Sequence, residues 1–238
     1  MKMVLGMALA WFLTSSALAT THEGVQAYLD FDTSYEVPRE KVSDSYLRVV
    51  PEKTLYSILT SAQEQKFELA LSVLEETLNS EEFKLKVLSY KRSDGKRLFQ
   101  KNYLWNNKAQ ELSNEDIYNI LMNADEAAIP GTKGEMNIYS WIKKCKWYDY
   151  ANPVTNVWCR KVVGSTSPHS SEWIKINYNF YAGYEAPQMV NNLVHEWIHL
   201  LGFLHGEENM REEAPYVIGR IAQEVSEKVL RKRALGLY

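Results

Sequence analysis

The segment His195-Glu196-Trp197-Ile198-His199-Leu200-Leu201-Gly202-Phe203-Leu204-His205 constrains this chain more than any other. Residues four apart share one face of an α-helix, so His195 and His199 project side by side and can share one cation. Glu196, adjacent to His195, can reach a water on that cation without binding the metal itself. Gly202 follows one turn later. Glycine accepts the left-handed conformation that ends a helix, and such a turn can bring His205 back as a third ligand. Three of the five histidines of the chain fall in this one stretch.

The flanking residues say where such a helix must lie. Val190, Leu193, Val194, Trp197, Ile198 and Leu201 make it strongly apolar, which predicts a buried element. Histidines and a carboxylate on a buried helix need partners, because unpaired buried polar groups are costly. A metal supplies them. Three neutral imidazoles leave a fourth tetrahedral position open, the arrangement of a catalytic rather than a closed structural zinc site. One catalytic Zn2+ is therefore expected, with His195, His199 and His205 as ligands. Zinc can lower the pKa of a bound water from about 15.7 to about 7. Glu196 as general base would take the proton and pass it to a leaving amine, which amounts to hydrolysis of an amide.

At these residues, over about 191–216, the chain resembles the metzincin clan of zinc metallopeptidases, whose motif is H-E-x-x-H-x-x-G-x-x-H. The resemblance implies the same ligands, the same base and an active-site cleft between a larger and a smaller subdomain. It also implies a methionine turn beneath the metal. Two segments compete for that place. Met210 follows His205 after a very short loop. The segment Ala214-Pro215-Tyr216-Val217-Ile218-Gly219 could form the floor of the site without a methionine, with Tyr216 near the zinc.

The start of the chain reads Met1-Lys2-Met3, then an apolar run from Val4 to Leu13, then Ala17-Leu18-Ala19. This predicts a signal peptide over 1–19, cleaved after Ala19. The apolar run is too short to span a bilayer. A secreted or periplasmic location is expected, with no stable membrane insertion after cleavage. Cys145 and Cys159, the only cysteines, fit an oxidising compartment and are read as a disulfide stapling two strands across a loop that contains Asn152-Pro153, the alternative being two buried free thiols. Net charge is −3. No basic stripe with interleaved aromatics stands out, so nucleic acid is not an expected partner.

Residues 20–130 read as an N-terminal arm, extended to about Lys53, followed by helices. This region is either a pro-segment or part of the fold. Asp30 or Asp32 could bind the metal in a latent form, although acidic residues in a polar arm are usually solvated. Phe67, Ala70, Leu71, Leu74 and Leu78 give a helix over 62–78 one apolar face. Asn79-Ser80-Glu81-Glu82 offers an N-cap and a returning carboxylate for another, with Phe83, Val87 and Tyr90 inward and Lys91 and Arg92 in its last turn. Ser113 and Asp116 open a third, with Ile117, Ile120 and Leu121 inward.

Residues 131–238 read as the catalytic region. Met136–Ile142, Val157–Val163 and Trp173–Phe180 are rich in β-branched and aromatic residues and predict strands. Pro187 suits the first turn of the zinc helix. Ile218, Ile221, Ala222, Val225 and Val229 give a last helix its apolar face, and Arg231-Lys232-Arg233 suit that helix's C-terminus. Tyr178, Tyr181 and Tyr184 could line a cleft beside a strand to which a peptide adds. His22 and His169 are isolated. The fold class expected is α+β and metzincin-like, a small mixed sheet packed on the zinc helix with additional N-terminal helices and a C-terminal helix.

The expected function is a secreted zinc metalloendopeptidase acting on a peptide or protein substrate. The same residues serve a zinc amidase acting on cell-wall peptide. A catalytically inactive metal-binding interaction module would not need Glu196.

Overall fold

A computed structural model describes residues 46–56, 59–95, 103–105, 108–110, 112–124, 126, 134–167, 171–205 and 210–237. The predicted signal peptide, most of the predicted arm, Asp30, Asp32, His22 and His169 lie outside the described residues.

The architecture is α+β, as expected. Strand β1 (Arg48–Tyr56) leads into helices α1 (Ser61–Asn79) and α2 (Glu81–Ser89). A two-stranded antiparallel ribbon follows, β2 (Tyr103–Trp105) with β3 (Lys108–Gln110), and then α3 (Asn114–Asn123). Strand β4 (Glu135–Lys143) precedes two short helices, α4 (Trp147–Ala151) and α5 (Pro153–Lys161). The hairpin of β5 (Gly164–Ser167) and β6 (Ser171–Asn177) comes next, then α6 (Tyr178–Tyr181), α7 (Ala186–Leu200) and α8 (Ala214–Ala234). The main sheet has the order β1-β4-β6-β5; β1, β4 and β6 run parallel, and β5 is an antiparallel edge.

Local chemistry explains most boundaries. Thr60 and Gln63 form a reciprocal capping box at the start of α1, and Ser113 with Asp116 does the same for α3. Within the predicted cap segment 79–82, Ser80 is the residue that caps α2, accepting from Phe83 N. That helix ends at Ser89, before Lys91 and Arg92, so its predicted last turn was placed too far along. Pro187 stands in the first turn of α7, again as predicted.

Five expectations need correction. The arm was extended to Lys53, yet Arg48–Tyr56 is a strand integral to the sheet, paired with β4 from Arg48↔Glu135 to Tyr56↔Ile142. Val157–Val163, read as a strand, lies mostly in α5. Asn152-Pro153, read as a turn, is that helix's start: Asn152 Oδ1 accepts from Val154 N, and proline occupies the first turn. The third strand stops at Asn177 rather than Phe180, because Asn177 caps α6 by accepting from Asn179 N. Finally, the disulfide Cys145–Cys159 is present but joins the segment after β4 to α5, not two strands.

The N-terminal helices share one core with the motif helix. Phe67, Val73 and Leu74 of α1 belong to the same buried cluster as Ile138 of β4, Val194 and Trp197 of α7, and Ile218 and Ala222 of α8. Arg233, expected to serve the end of α8, is instead buried against α1, where its Nη2 lies 2.8 Å from Glu76 Oε2 and donates to the Ser72 carbonyl. A cation removed from water in this way requires such a partner. Among the described residues no helix is long and apolar enough to cross a membrane.

Candidate metal centre

Helix α7 carries His195, Glu196 and His199 at its C-terminal end, where ten of its side chains, from Ala186 to Leu200, are buried. The helix stops as the sequence predicts. Leu201 is the last residue in right-handed geometry, and Gly202 has φ of 100°. Gly202 N donates to the His199 carbonyl at 3.0 Å and Phe203 N to the Ile198 carbonyl at 3.3 Å. This pair of bonds is the Schellman arrangement, which needs a left-handed residue at the position of Gly202. The turn brings His205 back over the helix. One ring nitrogen from each of His195, His199 and His205 lies within 4.8 Å of the others, so the three can hold a metal ion.

Each imidazole is oriented by a second partner that the sequence did not reveal. His199 Nδ1 is 2.6 Å from the Phe203 carbonyl. Since a carbonyl only accepts, Nδ1 carries the proton and Nε2 is the free ligand nitrogen. His205 Nδ1 is 2.9 Å from Glu213 Oε2, which fixes that ring in the same way. His195 is hydrogen-bonded to the Pro215 carbonyl. Outer partners of this kind set the tautomer and raise ligand basicity. Glu213 and Pro215 open α8, so this helix frames the site through its first turn. The signal for Glu213, a carboxylate eight positions after His205, is not distinctive in a sequence with 30 acidic residues.

Electrostatics favour the ligand state. Burial, followed by the neighbouring His199 and His205, pushes the His195 imidazole down to about 3. Burial likewise brings His199 down to about 4. Both rings are therefore neutral near pH 7, as metal binding requires. Burial raises the Glu196 carboxyl to about 8. An opposite charge within reach favours its ionised form, so a cation held by the histidines would return it toward carboxylate.

Tyr216 sits in the first turn of α8 rather than in a loop. Its ring centroid is 4.5 Å from that of His195 and 5.1 Å from that of His205. Burial, with Glu213 and Glu196 nearby, raises its pKa above the usual phenol value, so its hydroxyl stays protonated. Met210 falls in a 3₁₀ turn, Met210–Glu212, and its side chain lies outside the described residues.

The histidines and Glu196 line a cavity of about 590 Å³. Its opposite wall is the edge strand β5, through Gly164, Ser165 and Thr166. The strand immediately before the motif helix, β6, is interior, and the sheet edge that borders the cavity is β5. Of the three tyrosines proposed to line the cleft, Tyr184 does. Tyr181 is buried and donates to the Gln63 carbonyl, and Tyr178 accepts from Gln63 Nε2 at 3.4 Å. Gly164 was not anticipated. A Cβ built there would stand 2.7 Å from Glu196 Oε1 and 2.7 Å from Asn192 Nδ2, so strand and helix approach this closely only because residue 164 has no side chain.

Behind the site, Glu126 ties α7 to the sheet. Its Oε1 accepts from Trp197 Nε1 at 2.6 Å and from Asn137 N of β4 at 3.0 Å.

Compared with protein-family models, with curated proteins and with solved structures, the chain gives no match.

Proposed function

We propose that this protein is a zinc metallopeptidase that hydrolyses peptide bonds with Glu196 as general base, consistent with its resemblance to the metzincin clan. The observation that carries the reading is the convergence of three anchored imidazoles and a buried carboxylate on one cavity walled by a sheet edge. The donor set fits zinc: three neutral nitrogens without thiolate suit a catalytic site that keeps one position open. When bound, zinc supplies Lewis-acid polarisation and acidifies water.

The protein's own groups do the rest. Glu196 takes a proton from the attacking water and delivers it to the leaving nitrogen, general acid–base work worth about 10²–10⁴-fold. The Tyr216 hydroxyl, kept protonated, donates to the oxygen that gains negative charge. An extended substrate pairs with β5, an antiparallel edge whose outer backbone groups face no strand among the described residues. Asn192 and Thr166 line the same cavity, and their Oδ1 and Oγ1 are buried without a hydrogen-bond partner among the described residues. Peptide N–H groups are the donors such atoms lack.

Export to an oxidising compartment belongs to the same proposal, and the disulfide is consistent with it.

The test sets zinc content and peptidase activity beside those of Glu196→Gln. One zinc per chain in both proteins, with chelator-sensitive cleavage reduced at least about 100-fold in the variant, is the expected result. Cleavage of cell-wall peptides but not of proteins would move the reading to a zinc amidase. Absence of zinc from both proteins would end it.

A further inference from the structure

The segment 143–161 has a character unlike the rest of the chain. It carries five cations, Lys143, Lys144, Lys146, Arg160 and Lys161, against one carboxylate, Asp149, in a protein whose net charge is −3. That carboxylate is buried and accepts from Lys146 N, so it does not offset the surface charge locally. The same segment exposes large apolar side chains: Trp147 is 81 % exposed, Val154 80 %, Val157 52 % and Tyr148 49 %. Elsewhere among the described residues only Leu85, Leu235 and Leu237 are large and comparably exposed. Contiguous apolar exposure mixed with charge of one sign marks an interaction surface.

The fold assembles this surface. Read as a β-hairpin, the segment would have sent alternate side chains to opposite faces, which hides the basic and aromatic grouping from a sequence reading. As two helices it gathers them. Val154, Val157 and Lys161 recur at helical spacing on the outer side of α5, while Cys159 is turned inward. The disulfide to Cys145 and the three carbonyls bound by Asn177 Nδ2, those of Trp158, Cys159 and Val162, hold the pair of helices to the body.

We infer that this face docks the protein peripherally on an anionic phospholipid surface. Lysine and arginine beside exposed tryptophan and tyrosine match the chemistry of the headgroup layer, and the valines match its hydrocarbon boundary. Charge complementarity is direct: each cation near an anionic bilayer contributes roughly 1 kcal/mol, or about fivefold in affinity. A single-stranded nucleic acid fits less well. Stacking needs open aromatic faces, but Tyr148 lies beneath Lys146 and Tyr150 beneath Arg160, with 5.8 and 5.6 Å to the ring centroids. The exposed valines offer a base nothing to stack on. Docking is distinct from insertion and needs no spanning helix. Because α5 ends at Lys161, which lines the cavity, docking sets the candidate active site beside the lipid surface. Only that consequence, a membrane-associated substrate, rests on the hydrolase reading; binding is measured without turnover.

The experiment is co-sedimentation with vesicles of phosphatidylcholine alone and with a third phosphatidylglycerol. The full chain and its variants are compared in one background, so that any affinity of Val4–Leu13 is common to all. Two variants remove different chemistry: Lys144→Gln with Lys146→Gln, and Trp147→Ser with Val154→Ser and Val157→Ser. Both alter exposed positions, and an unchanged melting temperature verifies each fold. The expected result is binding to the anionic vesicles that weakens with added salt and falls at least about tenfold in each variant. Equal binding by parent and both variants overturns the inference. Preference for a single-stranded oligonucleotide over the anionic vesicles overturns it too.

Discussion

The motif helix α7 and the stapled pair α4–α5 are held by opposite means. Ten side chains of α7 are buried, and its polar groups answer to one another: Phe203, Glu213 and Pro215 each orient a histidine. In α4–α5 only Asp149 and Cys159 are buried within the helices. That region is kept in place by one disulfide, by the side chains of Asn177 and Asn179, and by the bond from Trp158 Nε1 to Ser165 Oγ. A packed core positions catalytic groups to within fractions of an ångström. A stapled surface element gives up that precision and keeps large apolar and charged groups in water, where a partner can reach them.

The largest expected stability effect probes how α7 is anchored. Glu126 is buried, its Oε1 carries both hydrogen bonds, and its Oε2 has no partner among the described residues. Burial raises its pKa from 4.5 to about 7. A folded pKa raised above the unfolded value means that the stability contributed by the protonated form is complete below pH 4.5 and is lost as pH rises through 7. Over that window the loss amounts to about 3 kcal/mol. Glu126→Gln keeps an acceptor for Trp197 and Asn137 without the charge. Denaturant unfolding between pH 5 and 8 should therefore be flatter in the variant, which becomes the more stable protein above pH 7. Parallel pH profiles would show that Glu126 does not carry this dependence.

The second prediction tests the other side of the contrast. The disulfide closes a sequence separation of 14 residues, for which chain entropy gives about 3 kcal/mol. Replacing both cysteines with serine should lower global stability by up to that amount. If the stapled pair is as independent of the core as its burial suggests, zinc binding by the three histidines should stay within about twofold. Equal loss of zinc and of helix would mean that the two regions are one cooperative unit.

How well the sequence could be read follows the same division. The motif was legible because each of its residues does a separable job at fixed spacing: two histidines on one face, a carboxylate between them, a glycine at the left-handed position. Helices α1 and α8 were legible through apolar periodicity, and α3 through its Ser113 cap as well. The α5 region was not, because Val154, Val157, Trp158, Val162 and Val163 have the composition of a strand, and nothing local says that Val154 and Val157 face water. Tertiary context overrode propensity there, and the overlooked Asn152 cap was the one signal that pointed the other way. Strand β1 was missed for a different reason. Arg48-Val49-Val50-Pro51-Glu52-Lys53 does not alternate, and it is a strand because β4 offers it an edge. Glu213 and Gly164 matter only through contacts that the fold creates.

Gly164 is where the two regions meet, and it gives the smallest of the three effects but the most local one. It follows α5 by two residues, opens β5 and lies against Glu196 and Asn192. Gly164→Ala brings a methyl group to 2.7 Å from Glu196 Oε1 and within 2.9 Å of both polar atoms of Asn192. Contacts that short cannot persist, so strand or carboxylate must move by several tenths of an ångström. Misplacement on the ångström scale can cost about 100-fold in turnover. Zinc stoichiometry should remain at the parent's value, since no histidine is touched, and the melting temperature should change little. The informative readout is the split between kcat and KM. A fall in kcat alone means that displacement of Glu196 dominates, and the packed side governs the site. A rise in KM alone means that β5 has shifted as a binding edge, and the stapled side reaches into the chemistry through the strand that follows it.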